Sequence, residues 1–140
     1  MWRAALGAVA LAALCWLGIN AVVTTDRERV EEEAERLIGL CRSGGEEAAE
    51  ELLAALSGGY RGTSVPREEA ERVVRNYVAR KRIRAIKTKA VGAVWHGGEI
   101  LFPLVARVDF DGGFAILNAK VTFAREGEEW KVVDVSVSRW

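Results

Sequence analysis

From Ile100 to Val137 the chain reads ILFPLVARVDFDGGFAILNAKVTFAREGEEWKVVDVSV. Apolar residues recur here at every second position, the period at which strand side chains return to one face. Ile100, Phe102, Leu104, Ala106, Val108 and Phe110 share one face of a strand, and Ala115, Leu117, Ala119, Val121 and Phe123 share one face of the next. The last strand places Val133, Val135 and Val137 on one face and Trp130 and Val132 on the other. Asp111-Gly112-Gly113 and Glu126-Gly127-Glu128 are turn signals, and His96-Gly97-Gly98 is a third, upstream, in a segment whose period of two begins near Ile83. Three short turns predict four antiparallel strands joined as hairpins. Pro103 has no N–H to donate to a ladder, so it marks an edge, a bulge or a bend.

Upstream of Ile83 the period is helical. Thr25-Asp26-Arg27-Glu28 is a capping box, and Val30, Ala34, Leu37, Ile38 and Cys41 then form one apolar stripe that ends at Ser43-Gly44-Gly45. A second helix opens with Glu46 and Glu47 at its positive dipole end, presents Ala49, Leu52, Leu53 and Leu56, and stops at Gly58-Gly59. A third starts at Pro66 and packs Ala70, Val73, Val74, Tyr77 and Val78. The expected fold class is α+β, with three helices on one face of a curved four-stranded sheet. The other face is half apolar, through Leu101, Val105 and Ile116, and such a surface on a small domain predicts a partner, a homodimer first.

Before the first helix lies an uncharged run from Ala4 to Val23. A helix needs about 20 apolar residues to cross a bilayer core, so residues 1–24 read as a single transmembrane anchor and 25–140 as one α+β domain. Cleavage as a signal peptide is the alternative, but the run is long and its candidate site, Ile19-Asn20-Ala21, has a bulky Ile where a small residue is preferred. The expected localisation is a single-pass membrane protein held through residues 4–23, with its domain on the extracytoplasmic side. Formal net charge is zero, yet Asp26 to Gly59 holds four basic and ten acidic residues, net −6, and Tyr60 to Trp140 holds fifteen and ten, net +5. Nothing in that balance argues for nucleic acid. Cys41 is the one cysteine beyond the apolar run and lies on a helix's apolar stripe, which suits a buried structural thiol.

Three helices followed by an antiparallel meander is an order that resembles the nuclear transport factor 2-like superfamily, which includes the SnoaL-like and cystatin-like α+β cones. Leu52 to Tyr60, LLAALSGGY, looks like that superfamily's second helix and the aromatic residue after it. Val121 to Val137, VTFAREGEEWKVVDVSV, is similar to its closing hairpin. The resemblance implies an interior pocket, used by some members for isomerase, dehydratase or cyclase chemistry. It supports fold more than activity, and another helix-then-sheet fold of cystatin type is the rival.

At the catalytic positions the chain departs from those enzymes. Its first helix has no Tyr, and its single histidine, His96, sits in a hairpin turn where nothing orients it as a base. The polar candidates for a ligand pocket are Tyr60, Tyr77 and Asn118, together with Asp109, which with Asp111 more simply shapes a turn. Arg80, Lys81, Arg82 and Arg84 form a candidate patch for an anionic partner; a solvated face is the plainer reading. No metal spacing, phosphate loop or nucleophile-base motif is present, so no cofactor is expected. The expected function is that of a membrane-tethered, non-enzymatic module for a small apolar ligand or a protein partner. The alternative is an isomerase, dehydratase or cyclase acting in the cone.

Overall fold

The computed structural model describes Ala8, residues 26–90 and residues 92–139. Helix α1 covers residues 26–43. Helix α2 is Glu46–Ala54, and α3, Arg67–Val73, runs on into one π-helical turn, Val74–Val78. Strands β1 (Ile83–Ala90), β2 (Val94–His96), β3 (Glu99–Phe110), β4 (Gly113–Glu126) and β5 (Glu129–Arg139) form one antiparallel sheet in the order β1-β3-β4-β5, with β2 also paired to β3. The α+β order is the expected one. The expected anchor, residues 1–24, lies outside the described residues apart from Ala8. Among the described residues no helix is long and apolar enough to cross a membrane.

The sheet has five strands where the turn signals predict four. β1 pairs with Leu104–Phe110 and β2 with Glu99–Leu101 along the same edge of β3, leaving Phe102 and Pro103 unpaired on that side. The missing N–H of Pro103 therefore falls where the ladder is interrupted. Opposite it, Gly92 takes a φ of 111°, open only to glycine at low cost, and the chain turns inward. Ala93 becomes buried and its N–H donates to the Glu31 carboxylate at 3.1 Å, tying the break to α1.

A second correction concerns β5. Thr122 pairs with Asp134 but Phe123 pairs with Val132, so Val133 is an inserted residue, a β-bulge. An extra residue reverses the alternation, and Trp130 and Val132 come to the same face as Val135 and Val137 rather than the opposite one. The bulge also coincides with the sealing of the sheet's outer edge. Val132 donates to Ala55 O at 2.9 Å, Ser57 N–H donates to Val132 O at 2.8 Å, and Arg61 N–H donates to Val133 O at 2.7 Å. An edge strand that would otherwise invite another chain is thus occupied by the α2–α3 connection.

Val30 and Ala34 of α1 are buried with Ile100, Phe102, Phe123, Trp130 and Val132, so α1 lies on the concave face. Its start meets the Ile100 end of β3, and its last turn reaches β1, where Arg42 donates to Ile86 O at 3.0 and 2.8 Å. The third helix departs from expectation at Val73, which is 44 % exposed. The π turn, closed by Ala79 N–H on Val74 O at 2.9 Å, adds a residue to the helical turn, and Val78 beyond it is buried as expected. Phe123 is wholly buried between α1 and the bulge, so Phe123→Ala is expected to cost about 3–5 kcal/mol. Urea unfolding of the full chain checks this as a lower midpoint at unchanged slope.

Candidate functional site

Between α1 and the concave face lies a cavity of about 190 Å³. Ala34, Leu37, Ile38 and Cys41 line it from α1, Ile86 and Thr88 from β1, Leu104, Ala106 and Val108 from β3, and Val121 from β4, with Phe102 and Phe123 closing one end. Ala34 and Ala106 are the reason for the space. Larger side chains there would fill the gap between helix and sheet, as the neighbouring Phe102 and Phe123 do nearer the start of α1.

No charged side chain lines this cavity, and its polar groups are the Thr88 hydroxyl and the Cys41 thiol. Burial pushes the thiol up from its ordinary 9.0 to about 11, so Cys41 is protonated at neutral pH. The interior can desolvate an apolar molecule. A buried ion placed there would find no countercharge.

A larger recess, about 390 Å³, lies outside, between α1 and the β4–β5 turn. Its walls carry charges of both signs, among which Arg36 pairs with Glu33 at 2.5 Å and Lys131 with Glu129 at 3.2 Å. Its floor includes Trp130, whose buried indole N–H has no acceptor among the described residues. Volume favours this groove, but its walls are charged, so the smaller, apolar-lined cavity is the better site for an apolar molecule.

None of the three expected pocket residues lines the cavity, and the structure does not bring them together. Tyr60 packs its ring against the core and donates its hydroxyl to Val65 O at 2.7 Å. Burial, and then the charge of Asp134, push that hydroxyl's pKa up. Tyr77 lies edge-on to Phe110, ring centroids 5.9 Å apart. Asn118 is exposed on the outer face between Val105 and Ser138. The sequence signal for the actual lining was present as the α1 stripe and the β3 face, but it did not separate cavity wall from packed core.

Arg80, Lys81, Arg82 and Arg84 are exposed where the π turn passes into β1. Arg84 pairs with Asp111 at 2.7 Å. Lys81 has a φ of 53°, in the left-handed region, and its backbone packs on the Gly44 turn, where an added Cβ would sit 3.0 Å from Val78 O. His96 is exposed at the end of β2, and Asp109 pairs with Arg107 at 3.2 Å. Among the described residues no cluster of His, Cys, Asp or Glu could hold a metal ion.

No protein-family model matches the chain, and no curated protein matches its sequence. Solved structures do match in shape. An NTF2-like protein with a cystatin-like fold from Novosphingobium aromaticivorans is 17 % identical over 88 % of this chain and 87 % of its own, with a TM-score of 0.58. A candidate scytalone dehydratase from the same organism is 15 % identical over 83 % and 88 %, with a TM-score of 0.50. Bdellovibrio bacteriovorus Bd1075 is 14 % identical over 78 % of this chain but only 40 % of its own, with a TM-score of 0.56. At such identities the likeness shows the fold alone: this chain has the NTF2-like, cystatin-like cone.

Because the Cys41 thiol holds its proton more tightly in the folded state, its contribution to folding stability is fully present below pH 9.0 and is lost as pH rises toward about 11. Denaturation of a chain carrying Cys15→Ala, compared with the same chain carrying Cys41→Val, is expected to show a steeper decline over that range where Cys41 remains, above the decline that the raised Tyr60 hydroxyl gives both chains.

Proposed function

We propose that this chain is a membrane-tethered binding module whose cone interior takes a small apolar ligand without transforming it. The observation that carries the reading is the lining of the interior cavity: hydrocarbon throughout, save a hydroxyl and a thiol held protonated by burial. Dehydration or isomerisation requires a group that gives or takes a proton at neutral pH, within hydrogen-bond reach of the substrate. The candidate scytalone dehydratase shares the cone, but no lining residue here supplies such a group. At about 190 Å³ the cavity is smaller than the roughly 300–1,000 Å³ of drug-sized sites, which suits a fragment-sized ligand.

The tether rests on the uncharged run at residues 4–23. On the sheet's outer face Phe114 is 58 % and Ile116 38 % exposed beside Val105, which supports pairing with a second copy. Native mass spectrometry of the full chain from its own host is expected to show two chains and a discrete bound mass. Ala106→Leu, which fills the cavity, removes the bound mass and keeps the fold. Ile116→Lys, which places a charge on the outer face, gives single chains. A wild-type chain that carries no adduct and binds no uncharged apolar probe would sink the ligand reading.

A further inference from the structure

The cavity's mouth lies between α1 and β1. β1 is an edge of the sheet, and Thr88 is the one exposed residue among those lining the cavity. Two polar ties hold α1 to this edge, on either side of Thr88: Glu31 to the N–H of Ala93 at 3.1 Å, and Arg42 to the carbonyl of Ile86. The two helix positions are about 16 Å apart at about 1.5 Å per residue. The residues of α1 between them that face the sheet are apolar, Ala34, Leu37, Ile38 and Cys41.

The tie at Arg42 is of a replaceable kind. Two guanidinium nitrogens, at 3.0 and 2.8 Å, share one neutral carbonyl, and the side chain is exposed. Among the described residues Arg42 makes no ion pair, and Lys81 adds a second cation beside the Gly44 turn two residues on. A carboxylate at that point would accept both N–H groups in parallel, a charge-assisted arrangement roughly twice as strong as the neutral bond it displaces. The interior, in contrast, has no countercharge for an ion. Apolar space within and an unpaired guanidinium at the rim together describe an amphiphile.

We infer that the cavity takes a single-chain, medium-length aliphatic carboxylate, tail inside and head on Arg42 at the mouth. This rests on the apolar-ligand reading above and names its ligand class. A volume of about 190 Å³ holds about six groups the size of a water molecule at roughly 30 Å³ each, so a tail of about six to eight carbons fits and a two-chain lipid does not.

The test uses the full chain in lipid nanodiscs, with empty discs as blank, titrated with carboxyl-¹³C octanoate and with octan-1-ol. Octanoate is expected to bind once per chain, with the titration midpoint of its bound carboxyl lower than that of the free acid. Arg42→Ala should weaken octanoate about tenfold, equivalent to about 1.4 kcal/mol, abolish that shift, and leave octan-1-ol within twofold. Ala106→Leu should weaken both. If octan-1-ol binds but octanoate does not, or if Arg42→Ala weakens the two equally, the head-group assignment fails while the apolar pocket stands. If neither binds the wild-type chain, both readings fail. Octanoate binding that survives Ala106→Leu yet is lost with Arg42→Ala would mean a surface ion pair and overturn the inference.

Discussion

One inserted residue governs this fold. Val133 interrupts the ladder between β4 and β5, and three consequences follow from that single extra position. Trp130 and Val132 turn to the concave side and complete a core with Phe123 and Ile100. The strand bends, as bulged strands do. The carbonyls of Val132 and Val133 receive the N–H groups of Ser57 and Arg61, which covers the sheet's β5 edge with its own chain. Without the insertion, the alternation that runs through Val135 and Val137 would send Trp130 to solvent.

The opposite edge is managed differently, and the difference leaves the cavity. Among the described residues no segment covers β1; it is touched by the end of α1 through Arg42 and otherwise carries Lys87 and Lys89, charges that discourage pairing with another chain. A helix pinned by two polar ties to an uncovered edge leaves an apolar slot between them. Small residues in that slot, Ala34 and Ala106, convert what would be solid core into a cavity. The uncovered β1 edge therefore gives the interior its way out.

Much of this was legible in the residues themselves. The α1 stripe from Val30 to Cys41 and the β3 face from Ile100 to Phe110 lie on the concave side as their periods require. Pro103 marked an irregularity, and Gly92 shows why that irregularity splits one expected strand into β1 and β2. The expected pocket residues were chosen by polarity, and none of them lines the cavity: Tyr60 donates its hydroxyl to Val65, Tyr77 lies edge-on to Phe110, and Asn118 faces outward. An apolar ligand site has no polar signature, so a cavity wall and a packed core read alike along the chain.

By itself the sequence determined the class of fold, the order of helices and strands and the faces that turn inward, because these depend on local periodicity and on turn residues a few positions apart. Only the tertiary structure decided the phase of β5, the break between β1 and β2 and the open volume beneath α1. Each of those depends on contacts between residues far apart in the chain: Val133 against Arg61, Ala93 against Glu31, Arg42 against Ile86. A periodic pattern counts positions, and it cannot register the single inserted residue or the pair of distant alanines that set where a void remains.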